Sequence, residues 1–243
     1  MPQQILLQPA FVLHTRAYRN TSQLVELFSK QHGRLTLVAR GVKSGRQKSA
    51  AMLQPFRALF VSWSGRSELK TLVNVENDFS NPVNLRGKLL MSGYYLNELL
   101  MRLLHQHEEH ETLFDIYNNA LLQLTICNES VEEIEPVLRI FEKKLVAELG
   151  YGLNLDTDIH TGDQISPDRD YTYISNEGPG VFEQDSLAGV KISGKALLSL
   201  KAETFDEHQD LVACKRLMRM VLRDLLGDKP LYSRSLYNKI VIS

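Results

Sequence analysis

Five short apolar runs occupy the first eighty residues, and they narrow the fold of this chain more than any other feature. Ala10–Arg16, Gln23–Ser29, Arg34–Arg40, Leu59–Trp63 and Lys70–Val75 alternate in part and are rich in β-branched or aromatic residues. Gly33, Gly41, Gly45, Pro55 and Gly65 punctuate them, which is the pattern of short strands joined by turns. Five such strands predict a small barrel. The five-stranded OB-fold is a leading candidate, and an SH3-like barrel fits the spacing nearly as well. Residues 41–52 (GVKSGRQKSAAM) become a polar, basic loop between the third and fourth strands.

After Pro82 the texture turns helical. Leu85–His105 carries too many leucines for one narrow stripe, which places that helix at the centre of a bundle. Leu113–Leu124 follows. A third helix over about Glu133–Leu149 opens on acidic residues beside Pro136 and stops at Gly150. In the last part, Tyr171–Ser175 and Gly180–Glu183 flank a turn as a hairpin, Ser193–Lys201 is a short helix capped by Ser193, and about Glu207–Leu226 is a longer one. The expected class is α+β and multidomain: a barrel over 1–81, a helical domain over 82–158 and a small mixed region over 159–243.

Charge is segregated along the chain. Residues 1–81 carry +7, residues 82–165 carry −8 and residues 166–243 are neutral, within a total of −1. From Leu27 to Ser67 there is no Asp or Glu, while Lys30, Arg34, Arg40, Lys43, Arg46, Lys48, Arg57 and Arg66 all lie inside. A basic field on a barrel points to a polyanion, nucleic acid first. Arg34, Arg40, Lys43, Arg46 and Lys48, with Arg66 and Lys70, are the candidate DNA contacts. Phe28, Phe56, Phe60 and Trp63 are near in sequence and could supply stacking surfaces, although a small barrel also needs such rings for its core. A second basic stripe, Lys215, Arg216, Arg219 and Arg223, follows helical spacing. It suits either DNA or the acidic middle of the same chain.

Enzymatic motifs are weak. Gly189–Ala196 reads G-x-x-x-x-G-K-A, lacking the hydroxyl that ligates Mg²⁺ in a P-loop and the preceding buried strand; a helix capped by Ser193 explains it better. His105, His107 and His110 stand beside Glu108, Glu109 and Glu111, but HEEH spaces its histidines by three where a zincin needs four. No nucleophile elbow is present, and Cys127 and Cys214 are too isolated for a zinc or disulfide framework. No catalytic residue, metal or cofactor is expected. No apolar run approaches the roughly 20 residues that span a bilayer, and MPQQILLQPA lacks the build of a secretory signal. The expected setting is the cytoplasm, in association with the nucleoid.

Taken in order, AFVLHTR at 10–16, GRLTLVARGVKSGR at 33–46, LQPF at 53–56, GRSELKTL at 65–72, SGYYLNELL at 92–100, LRIFEKKLVAELGYGLN at 138–154 and CKRLMRMVLRDLLGDKPLYSRSL at 214–236 resemble the RecO family of bacterial recombination mediators. The resemblance covers nearly the whole chain. It implies an N-terminal OB-fold, a helical middle domain and a third region that many members build around four zinc-binding cysteines, absent here. It further implies binding of single- and double-stranded DNA, annealing of complementary strands and, with RecR, loading of RecA onto DNA coated with single-stranded DNA-binding protein (SSB). The acidic, Phe-ending SSB tail would need cations beside an apolar slot, for which Arg139 and Lys143 with Leu138 and Phe141 are the candidates. Two other classes compete: an RNA-binding barrel protein, and a metal-dependent hydrolase using His105–His110.

Overall fold

A computed structural model describes residues 4–41, 49–80, 82–182 and 189–234. Five strands open the chain: β1 (Gln4–Tyr18), β2 (Ser22–Ser29), β3 (Gly33–Ala39), β4 (Ala58–Ser64) and β5 (Lys70–Asn77), with a single turn, α1 (Ser49–Met52), before β4. They close in the order β1-β2-β3-β5-β4, with β4 returning to β1. Only the β3–β5 pairing is parallel. This is the OB-fold topology.

Closure depends on the length of β1. Its later half pairs with β2 and its earlier half with β4, residues 10 and 11 being shared. The expected start at Ala10 is therefore six residues late. Pro9 and an irregularity between Ile5 and Gln8, where Leu7 takes φ 49°, break the alternation that would have marked the first half. Inward-facing Val12, Val25, Leu27, Leu37, Leu59, Val61 and Trp63 fill the barrel. Gly33 turns the chain at φ +61°, and a Cβ there would lie 1.7 Å from the Glu108 carbonyl oxygen, so no larger residue fits.

Beyond the barrel the chain forms helices and a small sheet. They comprise α2 (Gly87–Leu103), α3 (Glu111–Ile126), α4 (Val131–Glu148), a three-stranded sheet of β6 (Asp170–Ile174), β7 (Gly178–Val181) and β8 (Val190–Ser193), then α5 (Gly194–Ala202) and α6 (His208–Leu226). The chain forms two compact units, Met1–Ile126 with Leu231–Ser243, and Cys127–Pro230. The helices expected between residues 82 and 158 are thus divided: α2 and α3 belong with the barrel, α4 with the sheet, α5 and α6.

Two kinds of contact join α2 and α3 to the barrel. Phe11 and Phe28 of the barrel meet Phe114 and Tyr117 of α3, with ring centroids 5.1–6.2 Å apart. Beside them Asn97 of α2, 2% exposed, donates from Nδ2 to the Leu13 carbonyl at 2.8 Å, and its Oδ1 accepts from the Tyr117 hydroxyl at 2.5 Å. Burial pushes the Tyr117 phenol far up, so it remains a donor throughout the working pH range. The chain returns to this unit at Leu231, where Glu98 of α2 accepts from the backbone N–H groups of Tyr232 and Ser233.

In the second unit, Asp158 organises the stretch before the sheet. Its carboxylate is 3% exposed and accepts from the backbone N–H groups of His160, Thr161 and Val181. The hairpin expected at 171–184 is β6 and β7, and β8 completes the sheet on the other side of β6.

Tyr117→Phe keeps the ring and leaves the buried Asn97 oxygen without its donor. We expect a loss of about 1–3 kcal/mol in urea unfolding, with the urea dependence unchanged. A stability equal to the parent would show that this hydrogen bond does not hold α2 and α3 to the barrel.

Candidate nucleic-acid interface

β3 separates the barrel cations into two groups. Arg34 stands near its start and Arg40 just past its end, about 20 Å apart at strand rise. Arg34 is committed to the fold. Its Nε donates to the Leu104 carbonyl at 3.1 Å, Nη1 lies 3.5 Å from Glu26 Oε2, and its own carbonyl accepts from the His107 N–H at 2.8 Å. Lys30, the next cation upstream, is held 2.8 Å from Asp115 of α3.

The opposite end differs. Arg40 is exposed and makes no ion pair among the described residues. Lys70, at the start of β5, pairs in register with Leu37 three residues before Arg40. Arg66 is exposed on the β4–β5 turn that leads into Lys70, on which Glu68 also stands. On the β1–β2 turn, Arg19 takes φ 50° and lays its guanidinium 5.2 Å from the Tyr18 ring centre. Arg16 is exposed one step back on β1. The first and last turns and the end of β3 thereby gather five cations at one end.

Sequence reasoning missed Arg16 and Arg19, although the signal was present. Residues 1–25 also lack Asp and Glu, and Glu26 alone separates them from the acid-free stretch. Glu26 is itself neutralised by Arg34 and accepts from the Thr36 hydroxyl at 2.9 Å. Lys43, Arg46 and Lys48 lie outside the described residues. The rings expected near the cations are mostly interior. Phe28, Phe56 and Trp63 are buried, Trp63 lying edge-on to His32 at 5.2 Å; Phe60 alone of the four is partly exposed.

The second unit is acidic, with 12 Lys/Arg against 20 Asp/Glu over 127–230. Six of its lysines meet carboxylates: Lys143 and Lys144 on Glu203, Lys191 on Asp170, Lys195 on Glu207, Lys201 on Asp156, and Lys215 on Glu135. Lys215 therefore leaves the stripe expected on α6. Arg216, Arg219 and Arg223 remain exposed there. The first two make no ion pair among the described residues, and Arg223 lies 3.8 Å from its neighbour Asp224.

The four residues considered for an acidic tail face other uses. Arg139 is 3% exposed and lies between Glu142, at 2.6 Å, and Glu135, at 3.6 Å. Phe141 and Leu138 are core residues. Lys143 donates to the carbonyls of Leu200 and Lys201 at the end of α5, as well as to Glu203. Burial raises the Glu203 pKa, but the hydrogen bonds from Lys143 and Lys144 outweigh it and hold the carboxyl below its usual range.

The remaining motifs are structural. Ser193 accepts from the Ala196 N–H at 3.2 Å and so caps α5. A Cβ on Gly194 would lie 1.9 Å from the Ser166 carbonyl oxygen, so this glycine serves close packing. His107 docks through its backbone on Arg34, and His110 Nε2 lies 3.7 Å from Glu108. Among the described residues no group of three His, Cys, Asp or Glu could hold a metal ion, and no helix is long and apolar enough to cross a membrane.

A five-stranded barrel of this topology defines an OB-fold protein, a class that binds oligonucleotides or oligosaccharides, and here cations stand on its first and last turns. Residues 3–77 match the family model described as recombination protein O N terminal, and residues 86–235 the one described as recombination protein O C terminal. The chain is 42% identical over 236 residues to the DNA repair protein RecO of Coxiella burnetii (strain CbuG_Q212), covering 97% of this chain and 99% of that protein. It is 41% identical over 237 residues to that of Nitrosococcus oceani, covering 98% and 94%, and 39% identical over 238 residues to that of Aromatoleum aromaticum, covering 98% and 97%. The chain belongs to the RecO family of DNA repair and recombination proteins.

Arg34→Ala removes the partner of a half-buried Glu26 and should cost about 1–3 kcal/mol in chemical unfolding. Arg40→Ala should stay within about 0.5 kcal/mol of the parent. Because the Glu203 pKa is depressed on folding, its contribution is complete above the ordinary carboxylate pKa and is lost as pH falls through the folded value. Glu203→Gln should therefore flatten stability against pH below about 4.5, which acid titration of unfolding would measure.

Proposed function

We propose that this chain binds single- and double-stranded DNA through phosphates, anneals complementary strands and, with RecR, helps load RecA onto SSB-coated single strands. The observation that supports this most is the gathering of Arg16, Arg19, Arg40, Arg66 and Lys70 at one end of the barrel while Trp63 is spent inside it and Phe28 and Phe56 are buried against the helices. Cations without a broad aromatic platform favour contacts to the backbone over contacts to bases. Annealing needs that balance. Two strands repel until their phosphates are neutralised, counterion release favours binding, and base edges must stay open to find their complement. The chemistry of pairing belongs to the DNA, so no catalytic group is required of the protein.

Arg216, Arg219 and Arg223 on α6 are the second phosphate-binding stripe in this reading. Their helix lies in an acidic unit that would otherwise repel DNA, which gives an exposed arginine stripe a reason to exist. SSB and RecR enter through family membership. An SSB tail at α4 would have to displace Glu135, Glu142 and Glu203 from Arg139 and Lys143, so the tail is carried as a partner without those residues as its receptor.

The test is annealing of SSB-coated complementary oligonucleotides, with full-length SSB and with SSB lacking its last residues. Annealing should require the tail. Affinity for single strands should fall steeply with salt, and Arg16→Ala, Arg19→Ala, Arg40→Ala and Arg66→Ala combined should lessen the log–log slope by about 0.7 for each phosphate that is no longer neutralised. A salt-independent affinity, or an unchanged slope in the fourfold variant, would sink the reading.

A further inference from the structure

On the side of α6 away from Arg216 and Arg219 lies a groove that no part of the DNA reading uses. It has a volume of about 440 Å³. Val221 and Leu225 of α6 supply apolar wall, Tyr173 of β6 another side, and Glu177, Asp224, Tyr151 and two asparagines are among the other residues that line it. No Lys or Arg lines it. Glu177 makes no ion pair among the described residues, and the nearest cation to Asp224 is Arg223, at 3.8 Å. Tyr151 is 50% exposed and lines the groove. Burial pushes the Tyr173 hydroxyl up to about 12, so that wall stays neutral and the two carboxylates set the sign of the groove.

Aliphatic wall beside two carboxylates and an open aromatic ring suits one kind of side chain. Arginine carries an apolar stem that packs on aliphatic wall, a planar fork that two acceptors can grip, and a cation that lies well over a ring. A phosphate or an acidic peptide would be repelled by Glu177 and Asp224. We propose that this groove is a docking site for a protein partner that presents an arginine from a basic segment. Arg216 and Arg219 lie on the other face of α6, across roughly the 10 Å width of a helix, while Arg223 stands at the edge of the groove, 3.8 Å from Asp224. A basic partner in the groove therefore leaves Arg216 and Arg219 open to a polyanion and meets the stripe only at Arg223. The proposal rests on the groove alone and stands or falls independently of DNA binding.

The probe is N-acetyl-leucyl-arginine amide, titrated into isotope-labelled full-length protein while amide resonances are followed. Saturable shifts are expected at Tyr151, Glu177 and Asp224, with a dissociation constant on the order of 1 mM, as befits a single anchoring side chain. Glu177→Gln with Asp224→Asn should weaken binding roughly tenfold, because charge-assisted hydrogen bonds become neutral ones. Tyr151→Ala, which leaves both charges in place, should weaken it less. The glutamate analogue of the probe should not bind. Shifts confined to other surfaces, equal binding of the glutamate analogue, or undiminished affinity in the double variant would each overturn the proposal.

Discussion

The hydrogen-bond chain from Tyr117 through Asn97 to the Leu13 carbonyl is the interaction on which the first unit depends. An OB barrel of this size can close on its own side chains, but helices laid against it need a reason to adopt one position. Aromatic packing of Phe114 and Tyr117 on Phe11 and Phe28 supplies most of the buried area. Apolar area alone is tolerant of sliding. A buried amide that must find both a donor and an acceptor is not, since any shift leaves a desolvated polar atom unpaired. Arg34 acts at a second point, tying the start of β3 to the segment after α2. The barrel end that faces the helices is thus fixed twice, and the other end is left with its four arginines exposed.

That division explains which features could be read from the residues alone. Strands β2 to β5 alternate and are bounded by turn residues, so they were legible. The first half of β1 was not, because Pro9 and the bulge at Leu7 erase its period. Helix positions were legible from apolar spacing and caps. Their allegiance was not. Many leucines on α2 say only that several faces are buried, and cannot say whether a barrel or another helix covers them. Density of basic residues was the least reliable guide, since it treats every cation alike. Lys30 finds Asp115 and Lys215 finds Glu135, each some eighty residues away. Only the folded chain decides which cations are already answered. Glu26 shows the converse, an acid whose partner is close by and whose charge is cancelled where the sequence interrupts a basic field.

Cation chemistry sharpens the point. In the second unit Lys143, Lys144, Lys191, Lys195, Lys201 and Lys215 all pair with carboxylates, whereas Arg216 and Arg219 are exposed without one among the described residues. At the open barrel end four of the five cations are arginines. Arginines hold structural carboxylates too, as Arg34 and Arg139 do, so exposure and residue type have to be weighed together. A guanidinium is more weakly hydrated and presents a rigid fork that fits a phosphate in two places at once. Six of the arginines at the two surfaces are set on turns, at a strand end or in adjacent helical turns, so their backbones are ordered before any ligand arrives. Less freedom is then lost when a strand is gripped. Weak individual contacts distributed over ordered positions hold a strand without fixing its bases, and that is the property a surface needs if two strands are to exchange partners upon it.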